Sequence, residues 1–279
     1  MKILITGSRG QLGLEIIKQL KCREQIELIE TDVHNLDIVN QKEVFALVEQ
    51  QKPDVIINCA AYTNVDGCEA NEIDAFRVNA IGAQNLSAAA YSVGAKMVQV
   101  STDYVFDGTG NSPKREYDKV NPQSVYGVSK ELGEQLVKQT NPKHFILRTA
   151  WLYGEGNNFV RTMIKISKEK TEISVVNDQI GSPTSTVDLA RCIIDLISTD
   201  SYGTYHATCE GQCSWYDFAK RIFEIKGINI NVIPMTSDKL DRPAPRPKFS
   251  VLDNFMLKLM GLNSFRNWEE ALNEYLELN

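Results

Sequence analysis

Tyr126 and Lys130 stand four residues apart in Tyr126-Gly127-Val128-Ser129-Lys130, a spacing that puts a phenol and an ammonium on one face of a helix. An ammonium held beside a phenol favours the phenolate and brings a group of ordinary pKa about 10 closer to working pH. Such a pair is acid/base machinery for a carbonyl or an alcohol. The same spacing occurs on ordinary solvated helix faces, so the surrounding chain decides its meaning. Thr102 is a third candidate: in Ser101-Thr102-Asp103 its hydroxyl ends an apolar run, placed to hydrogen-bond a substrate carbonyl oxygen while Tyr126 protonates it. A structural Ser/Thr turn is the alternative there.

A second set of residues points to a dinucleotide. Gly7-Ser8-Arg9-Gly10-Gln11-Leu12-Gly13 has glycines at every third position between an apolar run and a helical pattern, which lets backbone N–H groups approach a diphosphate at a helix N-terminus. Asp32, just past the next apolar run, is placed to meet an adenosine ribose and favours NAD; Arg9 would instead meet a 2′-phosphate, so NAD and NADP both stay open. Asp32 serves equally as a loop residue or cap. Asp37-Ile38 suits the adenine. Ala60 and Ala61 are small enough for a cofactor to pass over the backbone or for plain packing, and Tyr62-Thr63 begins the following loop. Trp151 and Tyr153 follow a later apolar run and suit either a sugar, a base or the core. Arg242, Arg246 and Lys248 form the most concentrated basic group, in a proline-stiffened loop that is either a surface connection or a nucleotide-diphosphate contact.

These residues need a scaffold. Lys2–Thr6, Ile26–Thr31, Asp54–Ala61, Lys96–Val100 and Phe145–Thr149 read as strands, and helical patterns alternate with them, which predicts a doubly wound parallel sheet of Rossmann type. Ligands in such sheets lie beyond the carboxyl ends of the strands, the edge that carries Gly7, Ala60, Thr102 and Trp151. The patterns predict helices over 43–51, 71–93, 159–168, 187–197, 215–225, 251–260 and 267–276, with strands at 173–176 and 204–206. After Gly154 the alternation loosens. Residues 1–153 are expected to form the dinucleotide-binding domain, completed by about 184–208, and 154–279 mainly a smaller α/β substrate-binding domain.

Composition narrows the class. The chain's 279 residues suffice for a large core, and the net charge of −6 argues against a broad nucleic-acid surface. No apolar run approaches a membrane span, so no membrane insertion is expected. Six scattered cysteines without a framework, and an N-terminus running straight into a strand pattern, fit a reducing cytoplasm. Cys209 and Cys213 have no second pair at zinc-site spacing, so no metal is predicted.

Together the motifs resemble the extended short-chain dehydrogenase/reductase superfamily, and more closely the dTDP-4-dehydrorhamnose reductase family. The carriers are the glycine turn, Asn58-Cys59-Ala60-Ala61-Tyr62-Thr63, Ser101-Thr102-Asp103-Tyr104-Val105-Phe106-Asp107-Gly108, Tyr126 to Lys130, Arg148-Thr149-Ala150-Trp151-Leu152-Tyr153-Gly154 and Asp178-Gln179-Ile180-Gly181-Ser182-Pro183-Thr184. The resemblance implies hydride transfer from NADPH or NADH to C4 of a dTDP-4-keto-6-deoxy-L-sugar, giving dTDP-L-rhamnose for surface polysaccharide. By the same resemblance Tyr126 is the general acid, and Lys130 holds the nicotinamide ribose while favouring ionisation of Tyr126. Gly7, Arg9, Gly10, Gln11, Leu12, Ala60, Ala61 and Thr63 would line the cofactor, and Thr102, Asp103, Tyr104, Trp151, Gln179 and Arg246 would meet the dTDP-sugar. Some family members are magnesium-bridged dimers; Asp188 and Glu210 are poor counterparts of their glutamates, and either a monomer or a homodimer is compatible. Two other readings use the same residues: a different nucleotide-sugar 4-ketoreductase or epimerase, and a non-catalytic, NADP-binding regulatory subunit.

Overall fold

In a computed structural model that describes residues 1–278, the chain opens with β1 (Lys2–Thr6), α1 (Gln11–Lys21), β2 (Glu27–Glu30), α2 (Gln41–Gln51) and β3 (Val55–Asn58). Helices α3 (Val65–Ala70), α4 (Glu72–Phe76) and α5 (Ala83–Ser92) lead to β4 (Lys96–Thr102), α6 (Val125–Thr140) and β5 (His144–Thr149). The remainder is β6 (Leu152–Tyr153), α7 (Phe159–Ser167), β7 (Glu172–Val176), β8 (Ile180–Gly181), β9 (Thr184–Ser185) and α8 (Thr186–Ile197). It closes with β10 (Gly203–His206), β11 (Cys213–Ser214), α9 (Trp215–Ile225), β12 (Asn231–Met235), α10 (Phe255–Leu259) and α11 (Trp268–Leu278).

Six strands pair in parallel in the order β10-β5-β4-β3-β1-β2. The apolar runs explain why both faces are covered. Ile3, Ile5, Val55 and Ile57 point into a core shared with α1 and α8, while Leu4, Ile56, Met97 and Ile146 alternate into a second core under α2, α5 and α6. Ile56 and Phe145 are fully buried, and truncating either to alanine costs about 2–5 kcal/mol. Strand order reverses around β1, whose neighbours are β2 and β3. A crevice opens at such a reversal, beyond the carboxyl ends of the strands.

The second half is built differently. Apart from β10, its strands form three two-stranded pairs, β7 with β12, β8 with β11 and β6 with β9, each joining segments distant in sequence. No helix among the described residues is long and apolar enough to cross a membrane.

Several boundaries differ from the sequence expectations. The helix expected over 71–93 is broken: residues Arg77–Gly82 form a π-helical turn between α4 and α5. In this turn Asn79 binds both the Tyr62 backbone, accepting from its N–H at 2.8 Å, and Ser129, donating to its Oγ at 2.9 Å. The wider turn thus exchanges regular helix bonds for a tie between the β3 loop and α6, a use common to π turns near functional sites. The helix expected over 251–260 is only Phe255–Leu259, because Val251 and Leu252 are held in extended chain by a bridge to Lys114. Strand β12 was not expected: Pro234 interrupts its pattern, and it is stable only through β7.

Candidate active site

The glycine turn is tight by necessity. Gly7 has φ +65°, and a Cβ there would lie 2.7 Å from the Ala60 amide nitrogen. Helix α1 begins at Gly10, which offers no side chain to the first N–H groups, whereas Asn40 and Ser124 cap α2 and α6. The open N–H groups face the crevice. Gln11 turns away: its Oε1 accepts from Gly154 N–H at 3.0 Å and Asn158 Nδ2 at 3.1 Å, so only its backbone and stem border the site. Arg9 N–H donates to Asp32 Oδ2 at 3.0 Å, joining the two residues the sequence offers for an adenosine ribose or its 2′-phosphate.

Helix α6 carries Tyr126 and Lys130, the candidate acid/base pair. Ser124 caps it, accepting from Gly127 N–H at 3.1 Å, and a Cβ on Gly127 would lie 2.3 Å from the Tyr104 carbonyl oxygen, so only glycine lets the helix seat against that turn. Tyr104 meets the Tyr126 ring edge-on at 5.4 Å. Lys130 is 4 % exposed and donates from Nζ to the Val100 carbonyl at 2.6 Å. The expected lowering of Tyr126 by Lys130 is not what the site does. Burial pushes the Tyr126 phenol up, a hydrogen bond with Thr102 draws it partly back, and the ammonium is engaged by Val100. Burial also lowers Lys130 to about 8, against the carboxylate of Glu134, which raises it.

Thr102 ends β4, where its hydroxyl donates to Asp103 Oδ1 at 2.9 Å. Asp103 is 3 % exposed, and burial raises its carboxyl to about 6 despite hydrogen bonds from Ser250 and Thr102. Its Oδ2 has no partner among the described residues. Trp151, at φ +47°, stacks on Trp215 with ring centroids 3.6 Å apart, and its ring edge lies against Gly181. Arg246 donates from Nη2 to Asp66 Oδ2 at 2.8 Å, while its buried Nη1 has no partner among the described residues.

The glycine turn, Thr102, Asp103, Tyr104, Tyr126, Lys130, Trp151, Trp215 and Arg246 border one cleft of about 1110 Å³. Of the residues singled out in the sequence for cofactor or substrate it gathers Gly7, Arg9, Gly10, Gln11, Leu12, Asp32, Asp37, Ile38, Ala60, Ala61, Thr63, Thr102, Asp103, Tyr104, Tyr126, Lys130, Trp151, Gln179 and Arg246. Arg242 borders it too. Lys248 does not; its backbone ties Gly108 to Ile180 instead. Nor does Tyr153, which is 1 % exposed and packs against Phe218 and Tyr275. Sequence reasoning missed Trp215, Met235 and Ser250, which reach the cleft only through distant pairings and carry no local signal.

Among the described residues no three His, Cys, Asp or Glu side chains are grouped to hold a metal. Asp188 accepts two bonds from Arg266, at 2.9 and 2.8 Å, and Glu210 is bound by Lys258, Asn254 and Asn263.

The family model for the RmlD substrate binding domain matches residues 1–279. The chain belongs to that family. A solved dTDP-4-dehydrorhamnose reductase from Clostridium acetobutylicum is 56 % identical, superposes with a TM-score of 0.98 and is covered over 99 % of its length by all of this chain. A second, from Bacillus anthracis in complex with NADP, is 44 % identical with a TM-score of 0.97, again over 100 % of this chain and 99 % of that one. The spore coat polysaccharide biosynthesis protein SpsK of Bacillus subtilis is 43 % identical over 277 residues, 99 % of this chain and 97 % of that protein. The family extends over both halves of the fold, the regular sheet and the loosely paired second half.

Proposed function

We propose that this member of the RmlD family reduces dTDP-4-dehydro-β-L-rhamnose to dTDP-L-rhamnose with NADPH or NADH, supplying rhamnose for surface polysaccharide. One observation carries the reading: Thr102, Tyr126 and Lys130 border the same cleft as the glycine turn, with Thr102 hydrogen-bonded to Tyr126. Residues 1–153, with the segment 184–208, hold the cofactor in this reading, and most of 154–279 shapes the sugar side.

The residues fit a dinucleotide. The turn has no room for a Cβ at Gly7, the N–H groups opening α1 are uncapped, and Ala60 and Ala61 leave the floor low. The bound nicotinamide supplies the hydride. Tyr126, kept protonated by its burial, gives its proton to the carbonyl oxygen as that oxygen becomes a hydroxyl. Thr102 donates to the same oxygen once its hydroxyl leaves Asp103, and Asp103 then offers both carboxylate oxygens to sugar hydroxyls. Lys130, which borders the cleft, has three donors, of which Val100 takes one; the others are left for the nicotinamide ribose. Arg246, with its unpartnered Nη1, meets the diphosphate of the nucleotide sugar.

Loss of reduced-nicotinamide absorbance on adding dTDP-4-dehydro-L-rhamnose, with NADPH and NADH in parallel, tests this directly. Sugar-dependent oxidation with dTDP-L-rhamnose as product is expected. Cofactor binding without any such oxidation would overturn the proposed substrate.

A further inference from the structure

Beneath Lys130 lies a buried charge cluster that the mechanism above does not use. Glu134, one turn farther along α6, is 2 % exposed. Its Oε1 accepts from Ser101 Oγ at 2.6 Å and Arg148 Nε at 2.9 Å, and its Oε2 accepts from Arg148 Nη2 at 2.7 Å. Ser101 and Arg148 face each other across β4 and β5, and the next register pair is Thr102 with Thr149. Successive turns of α6 therefore grip successive residues of β4: Lys130 binds Val100, and Glu134 binds Ser101, immediately before Thr102.

We propose that Glu134 is a positioning residue for the reduction, fixing α6 to the strand ends that carry Thr102 and serving as the counter-charge that keeps the desolvated Lys130 an ammonium. Fixing the helix alone would not require a charge; two apolar side chains of similar volume would seal the same space, often without loss of stability. The charge matters because Lys130 has surrendered its water. Burial lowers its ammonium toward about 8, and the influences that oppose the fall are Glu134 from α6 and the Cys59 thiol at the end of β3. The groups facing Glu134 are Arg148 on β5, Ser101 on β4 and, at 3.9 Å, the half-exposed Lys138 one turn on. Beyond Arg148 lie the Phe106 ring, under its guanidinium, and the buried, neutral His206.

This inference rests on Lys130 acting at the cofactor, so its test reads cofactor binding without the sugar. NADPH affinity is measured by fluorescence against pH for the parent, Lys130→Met, Glu134→Gln and Glu134→Asp. In the parent, affinity weakens as pH rises through the Lys130 transition, and Lys130→Met removes that limb. In Glu134→Gln the limb moves down by about one pH unit or more, the size of a lost neighbouring charge, and Glu134→Asp restores most of it. A folded Glu134→Gln protein whose limb stays at the parental pH overturns the proposal. A limb that survives in Lys130→Met indicts the role of Lys130 instead. Because Glu134→Gln leaves Arg148 buried without its partner, the double variant Glu134→Gln/Arg148→Gln is measured beside it. It leaves no guanidinium buried without its carboxylate, and a downward shift is again expected; an unmoved limb in that folded double variant overturns the proposal equally.

Discussion

The two ends of the cleft are built by opposite means. At the cofactor end, the chain's own backbone makes the site: a glycine turn, an uncapped helix start and small residues at strand ends, all within the first 61 residues. At the sugar end, side chains from far-separated segments are brought together by short strand pairs, as with Trp151 against Trp215 and Arg246 against Asp66. A backbone-built surface suits a ligand common to many proteins, whereas a surface assembled from side chains can be altered residue by residue. In the proposed function, chemistry occurs where the two meet, at Thr102, Tyr126 and Lys130.

The sharpest test of that division lies at the junction. Tyr126→Phe removes the proton donor while leaving the glycine turn untouched, so turnover should fall about 10²–10⁴-fold with cofactor affinity nearly unchanged, read by initial rates and NADPH titration. Full activity would remove Tyr126 from its role. Gly7→Ala strikes the cofactor end: forcing a Cβ against the Ala60 backbone at φ +65° should destabilise the fold by about 1–3 kcal/mol and weaken cofactor binding. An unchanged melting temperature would mean that the turn relaxes freely. Arg246→Gln should raise KM for the dTDP-sugar about tenfold, with cofactor affinity unaltered. If cofactor affinity falls in step, the two ends are not separable.

A further effect is on stability. Burial holds Asp103 at about 6, above its ordinary 3.8, so the folded state keeps the proton longer than the unfolded chain. Its stabilising contribution is complete below the ordinary value and is lost as pH rises from about 4 through about 6. Asp103→Asn carries no charge to bury and should melt above the parent at pH 7.5, by on the order of 2 kcal/mol, with the gain vanishing near pH 4. A gain independent of pH would place its origin elsewhere.

The same division explains what the sequence disclosed. Tyr126, Lys130, Thr102 and the glycine turn sit in local patterns, period-two strands and a helix face, whose physics is contained in a few neighbouring residues. Trp215 reads as one more apolar residue on an amphipathic helix; its place in the cleft depends on stacking with a residue 64 positions earlier (215 − 151). Ser250 is likewise placed by a backbone bond to Ile180. The π turn at Arg77–Gly82 was invisible because its residues fit an ordinary helix, and only the bonds of Asn79 to Tyr62 and Ser129 select the wider form. For Tyr126 the spacing placed it one turn before Lys130 on α6 but did not disclose that burial pushes its phenol up, because burial is a property of the whole fold.

The position of β10 has a consequence for how the molecule is made. It is the outer neighbour of β5, yet the chain first passes through β6 to α8 before supplying it, and Lys96 at the start of β4 is bound to the carbonyls of Ile197 and Thr199 and to Asp200 just ahead of it. A nascent chain emerging from the ribosome therefore holds β5 with a bare edge until His206 has been synthesised, a parallel pairing that is slow to find and open to wrong partners meanwhile. Cutting the gene after Tyr153 would freeze that vulnerable stage, because residues 1–153 lack the strand that covers β5.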